Sequence, residues 1–265
     1  MSISLPQHAA PPSPPPRKAD LIEGFITGLG AILAFSDALP RMTPTRLAAA
    51  LGISRAAARR YLITLCHAGY AANDGKQYWL TPKVLALGRS YIGSARLPRM
   101  ARPYLQRITA QVQESSNLAL LDGREVVYTA SANVSRLMST MIDPGTRLPA
   151  HATAAGRVML GALPKTAFEA WLGASPLTAY TAHTVTAKRA FTAEVDAART
   201  AGYSAVESQF ELGLRGIAVP LAGRDGSVAG ALGISMAASG SSMSVAVKRC
   251  VPALKAAAAE LRELI

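Results

Sequence analysis

Leu21, Phe25, Leu29 and Leu33 recur at a spacing of four, which lays one apolar stripe along a predicted helix over 21–35. Thr43 followed by Pro44 has the form of an N-cap with a first-turn proline and opens a short second helix that Gly52 breaks. Ser54 caps a third helix, which stops at Gly69; Ile53, Leu62 and Leu65 face its core side. Two short strands, 69–72 and 76–80, flank Asn73-Asp74-Gly75, and Asp-Gly is a strong hairpin signal. Thr81–Pro82 repeats the cap-plus-proline device and starts a helix to about residue 96, with apolar Val84, Leu85, Leu87 and Ile92. Beyond it the pattern alternates. Strands are expected at 118–122, 125–130, 137–142, 203–206, 217–221 and 228–235, and helices at 103–114, 153–163, 165–172, 192–201 and 245–264. Strands near both ends with helices between them predict an α+β fold, helices packed on a sheet.

Composition sets the limits of this plan. Residues 1–19 are rich in Pro, Ala and Ser, bury too little apolar surface to fold, and are expected to form a disordered arm. The remainder divides into a helical unit at 20–81, a linker helix at 82–98 and a larger domain at 99–265. No run of about 18 uncharged apolar residues is present, so no membrane span or membrane partner is expected. The N-terminus lacks the order of a secretory signal, and Cys66 and Cys250 form neither a CxxC pair nor a disulfide framework. Both observations point to the cytoplasm.

Charge separates the two halves. Residues 17–102 carry 13 Lys/Arg against 4 Asp/Glu, a net +9, whereas residues 103–265 carry only +3. A polyanion is the expected partner of the first part. The helical pattern there agrees: Ala48 permits close helix crossing, Gly52 can take the positive φ of a tight turn, and a hairpin follows as a wing. These parts make a winged helix-turn-helix. Arg55 and Arg59 are four apart and share a face of the third helix. Arginine there can pair with guanine edges, while Ser54 or Arg60 holds phosphate. Thr43 and Thr45 at the second helix and Lys76 on the wing complete the candidate DNA-binding set, and double-stranded operator DNA is the expected partner.

The run GLGAILAF…LAAALGISRAAARRYLITLCHAGYAANDGKQYWLTPKVLALGRSYI resembles the N-terminal half of IclR-type regulators, in particular the PcaR/PcaU/PobR branch, which governs aromatic-acid catabolism. GTRLPAHATAAGRVMLGAL, LTAYTAHTVT and GLRGIAVPL with ALGIS continue the likeness over nearly the whole chain after residue 20. The resemblance implies a C-terminal GAF-like α/β effector-binding domain, a homodimer or homotetramer, and a small aromatic or dicarboxylic acid as effector. HATAAG matches the family's pocket loop, which makes His151, Thr153, Ala154 and Ala155 candidates. VESQFELGLRG matches a segment with two acids; Glu207 keeps the first and Gln209 replaces the second. GIS matches a serine pair, with Gly233 in place of the first and Ser235 kept.

Physical reading of the loop agrees with a small acid. Thr153 caps the helix that follows, so the N–H groups of 154–156 point at whatever precedes it, and a helix N-terminus is an anion site. Ala154, Ala155 and Gly156 are small enough for close approach. Arg136 and Arg147 are possible salt partners. No GxSxG, HExxH, Walker loop or complete GxGxxG occurs, and the four histidines suggest no metal site, so neither catalysis nor a cofactor is expected. The rival class is an architectural DNA-binding protein that ignores ligands.

Overall fold

The computed structural model describes residues 17–134 and 142–265, in two compact units that meet in the chain between Tyr91 and Ile92. Residues 1–16 of the expected arm, Arg136, most of the expected strand 137–142 and the side chain of Ile92 lie outside the described residues. Residues 18 and 19 of the arm are ordered in a 3-10 turn, Lys18–Asp20.

The first unit holds α1 (Glu23–Leu33), α2 (Pro44–Leu51), α3 (Arg55–His67), β1 (Ala71–Asn73) and β2 (Tyr78–Leu80), followed by α4 (Leu85–Ser94). Local signals set the start of two helices. Thr43 Oγ1 accepts the Arg46 N–H at 3.3 Å and Ser54 Oγ accepts the Ala57 N–H at 3.1 Å. Gly52 ends α2 at φ 65°, the left-handed conformation that lets the chain turn directly into α3. Ala31, Met42, Leu47, Ala58, Leu62, Leu65, Ala71 and Tyr78 form the core, and Met42 exchanges backbone hydrogen bonds with Tyr78 at the edge of the wing.

Three expectations change here. The stripe on α1 is not the core face: Phe25 is 64% and Leu33 81% exposed, and α1 instead packs through Ala31 and Ile32. Thr81 does not cap a helix with its side chain; its hydroxyl donates to the Gly69 carbonyl at 2.6 Å and ties the wing to the exit of α3. The hairpin turn spans 74–77, one residue longer than expected, because Asn73 pairs with Tyr78 and the Asp74 carboxylate accepts the N–H groups of Lys76 and Gln77. Those bonds hold the Asp74 carboxyl below its ordinary pKa.

In the second unit α5 (Arg96–Val112), β3 (Ser115–Asp122), β4 (Glu125–Ala132), β5 (Arg147–Pro149), α6 (Ala154–Ala162), α7 (Lys165–Ala174), α8 (Lys188–Ala201), β6 (Ser204–Glu207), β7 (Leu214–Ala222), β8 (Val228–Ala237) and α9 (Met243–Arg262) follow in order. The strands form one antiparallel sheet in the order β5-β4-β3-β8-β7-β6. Helices cover both faces. Leu105 and Ile108 of α5 and Leu254 and Ala257 of α9 pack on one side against Leu118, Ile217, Leu232 and Ile234. Val158 and Leu160 of α6 with Phe191 and Val195 of α8 pack on the other against Ala119, Tyr128, Ala218 and Ala231. The alternation of side chains along a strand thus divides each central strand between two cores. Helix α5 begins well before Pro103, which sits on its exposed side while Leu97, Ala101 and Leu105 are buried. Burial of that stripe outweighs the lost backbone bond.

Candidate functional site

On the first unit Arg55, Arg59 and Arg60 are exposed along α3, opposite the buried Ala58, Leu62 and Leu65. Thr45 is exposed in the first turn of α2, and Lys76 at the tip of the wing. Thr43 and Ser54 spend an oxygen lone pair on their caps, so each hydroxyl keeps its own proton to donate. Arg41, which the sequence pattern did not single out, joins this set. Its guanidinium lies 4.2 Å over the Trp79 ring and 3.5 Å from Asp74, at the base of the wing. Only the pairing of residue 42 with the wing, a tertiary fact, reveals it.

The second unit contains a partly open cavity, with about 440 Å³ of empty space including solvent-continuous volume, between the start of α6 and the sheet. Thr153, Ala154 and Ala155 line it from the helix, Gln209 and Phe210 from the loop after β6, and Asn117, Tyr128 and Ser235 from the strands. Thr153 Oγ1 accepts the Gly156 N–H at 3.1 Å, and the N–H groups of Ala154 and Ala155 at the helix start have no acceptor among the described residues. Gly156 is not a lining residue. A Cβ there would overlap the Ala150 carbonyl, and its absence lets the helix start press against the preceding turn.

Gln209 is held from behind. Its Oε1 accepts from Arg157 Nη2 at 2.5 Å and from the Val185 N–H at 3.4 Å, which leaves its amide N–H groups for the cavity. Arg157 is itself buried, pairs with Glu194, and its Nε has no hydrogen-bond partner among the described residues. Burial lowers its pKa against the opposing pull of Glu194.

Three of the expected effector residues stand elsewhere. Arg147 is exposed on β5 and bonded to Glu125 and Asp122 at 2.7 Å each, and the two carboxylates raise its pKa. His151 is buried but outside the cavity lining; its Nε2 is 2.9 Å from the Thr178 carbonyl, and burial pushes its pKa below the ordinary value. Glu207 faces the α9 side of the sheet, where its carboxylate takes Arg215 Nε at 2.8 Å and Nη2 at 2.7 Å. Arg215 also donates to the Ser241 carbonyl, so its guanidinium is turned away from the cavity its backbone borders. Asn117 and Tyr128 were not anticipated. The signal for Asn117 was an amide side chain directly before the apolar run Leu118–Leu121 of β3; Tyr128 read as ordinary core.

Among known proteins, the family described as "Bacterial transcriptional regulator IclR C-terminal" matches residues 89–263, and the "IclR helix-turn-helix domain" matches 28–75. The chain is 38% identical over 243 residues to the Pca regulon regulatory protein of Pseudomonas putida, spanning 91% of this chain and 84% of that protein. A transcriptional regulator from Rhodococcus sp. RHA1 superposes with a TM-score of 0.81 at 37% identity, covering 92% of this chain and 98% of that one. The inducer-binding domain of the PobR transcription factor from Acinetobacter, a double mutant in complex with 3-hydroxybenzoic acid, superposes with a TM-score of 0.61 at 30% identity, covering 64% of this chain and 100% of that one. With both domains matched in their order along the chain, this protein belongs to the IclR family of bacterial transcriptional regulators.

Proposed function

We propose that this regulator senses a small aromatic or dicarboxylic acid in the α6 cavity and controls genes for the catabolism of aromatic compounds. The observation that carries the reading is the cavity itself: a mostly apolar space bordered by the N–H groups of Ala154 and Ala155, which have no partner among the described residues, and by the side chains of Asn117, Ser235 and Gln209. A buried carboxylate needs such donors, and a flat ring fits the apolar remainder. The complex of a related inducer-binding domain with 3-hydroxybenzoic acid supports it. The groups that border the cavity are ligand-orienting ones, which supports binding of the acid there.

Operator DNA lies, on this reading, against Thr43, Thr45, Ser54, Arg55, Arg59 and Arg60, with Lys76 on backbone phosphate. The exposed apolar faces of α1 and α4, including Phe25, Leu29, Leu33, Leu85 and Leu87, support a homo-oligomer, and membership of a family of bacterial transcriptional regulators supports work in the cytoplasm. No helix among the described residues is long and apolar enough to cross a membrane. Calorimetry of the full chain against hydroxybenzoates, protocatechuate and 3-oxoadipate is the test. One of them should bind, and Ala155→Leu should abolish that binding while operator affinity stays unchanged. Equal binding by the Ala155→Leu protein would place the ligand elsewhere, and no response to any acid would favour an architectural role.

A further inference from the structure

We propose that Asn117, seated across Gly233, forms with Ser235 a hydroxyl-recognition subsite on the sheet floor of this cavity, and that it selects hydroxylated acids over their unhydroxylated counterparts. The inference rests on the reading of the cavity as an effector site and adds a residue and a selectivity to it.

Asn117 on β3 and Gly233 on β8 are direct cross-strand partners, and Ser235 follows two residues on, so all three face the α6 side. Asn117 is 3% exposed and still borders the cavity. A Cβ on residue 233 would stand 2.6 Å from Asn117 Oδ1, so the carboxamide occupies the space that any side chain at 233 would need. Glycine at 233 and asparagine at 117 therefore act as one unit. The polar group that residue 233 lacks is delivered from the neighbouring strand.

The hydrogen bonds decide what this unit can recognise. Asn117 Nδ2 donates to Ser235 Oγ at 3.1 Å. Having accepted that bond, the Ser235 hydroxyl keeps its proton to give away. Asn117 Oδ1 has no donor among the described residues. An unused acceptor and an unused donor thus lie side by side at the floor. A hydroxyl group, which gives one hydrogen and accepts another, satisfies both; a C–H edge satisfies neither. A carboxylate is the wrong occupant, because its oxygens would face the Asn117 carbonyl. Tyr128, on the adjacent strand β4, borders the same cavity at 4% exposure, and its hydroxyl also lacks a partner among the described residues. Burial raises its pKa, so the phenol stays protonated and can donate to the same region. The Asn117 carbonyl is not sealed in the core but opens onto the cavity, where a polar ligand can pair with it. The bound acid is accordingly oriented with its hydroxyl on the sheet and its carboxylate toward Ala154 and Ala155.

Calorimetry with matched acids tests this: 4-hydroxybenzoate and 3-hydroxybenzoate against benzoate, on the full chain. The wild type should prefer a hydroxylated acid by about tenfold or more, the value of one to two hydrogen bonds. Asn117→Ala should erase most of that preference and leave benzoate within about twofold. Gly233→Ala removes no polar group and only displaces the carboxamide, yet it should do the same. Thermal unfolding and operator binding confirm that each variant is folded; Asn117→Ser, too short to reach across Gly233, replaces the alanine variant if that one does not fold. A folded variant that keeps the wild-type preference, or a wild type that binds benzoate equally well, overturns the subsite and leaves the effector reading intact. A wild type that binds none of these three acids overturns the subsite; one that also fails to bind protocatechuate and 3-oxoadipate overturns the effector reading as well.

Discussion

At Gly156 the backbone of α6 comes so close to the Ala150 carbonyl that there is no room for a methyl group. The neighbour is main chain, buried on all sides, and cannot turn away. Gly156→Ala is therefore expected to destabilise the second unit by about 3 kcal/mol, the upper end for overpacking, as read by urea unfolding. A loss below about 1 kcal/mol would mean that the turn before α6 yields easily. Single residues were legible in the sequence where their role is local. Thr153 caps the next residues along the chain, and its neighbours Ala154 and Ala155 follow it onto the cavity wall. Where a side chain's fate depends on a distant partner, its type alone misleads. Arg147, His151 and Glu207 have the chemistry an acid site needs, yet Glu125, Thr178 and Arg215 already occupy their polar groups. None of those partners can be placed without the sheet register.

Helix α3 shows how far an element can be read from its own letters. Its start is marked by Ser54, its inward face by Ala58, Leu62 and Leu65, and what remains outward includes Arg55 and Arg59. Arg55→Ala or Arg59→Ala should each cost about 1–3 kcal/mol of specific operator affinity where that residue reads a base, against a uniform loss on all sequences where it holds phosphate. Titration on operator and on scrambled DNA distinguishes the two outcomes; unchanged affinity in both variants would assign DNA contact to another face. Strand β5 was invisible by the same method. Three residues are too few to display alternation, and Arg147–Pro149 becomes a strand only because β4 offers it an edge. The early start of α5 was hidden for a related reason: Pro103 is a strong local stop signal, and only the burial of Leu97 and Ala101 overrides it.

For the molecule as a whole, the apolar surface left on α1 and α4 asks for a second chain. Ile22, Phe25, Ile26, Leu29 and Leu33 on one helix and Leu85, Leu87 and Tyr91 on the other are exposed, far more than scattered surface residues account for. The sequence displayed the stripe clearly but not its direction, since periodicity reports that a face is buried and not whether the cover is the same chain. Replacing Phe25 and Leu29 by Glu should convert the oligomer to monomer in light scattering at micromolar concentration, with the acid affinity of the C-terminal domain retained. A wild-type protein that is already monomeric with and without DNA would remove the proposal.

Strand β8 carries one last implication. Leu232, Ile234 and Met236 hold the core under α5 and α9, while Ala231, Gly233 and Ser235 look the other way, the last two onto the cavity floor. Two independent messages are written into one stretch of chain, in alternate letters. A lineage carrying this fold can change its chemical appetite at Ser235, and at Gly233 together with Asn117, while Leu232, Ile234 and Met236 go on specifying how the domain folds. New sensors would then arise by a few substitutions that leave the core under α5 and α9 untouched, which makes the sheet floor the natural place to begin an engineered change of inducer.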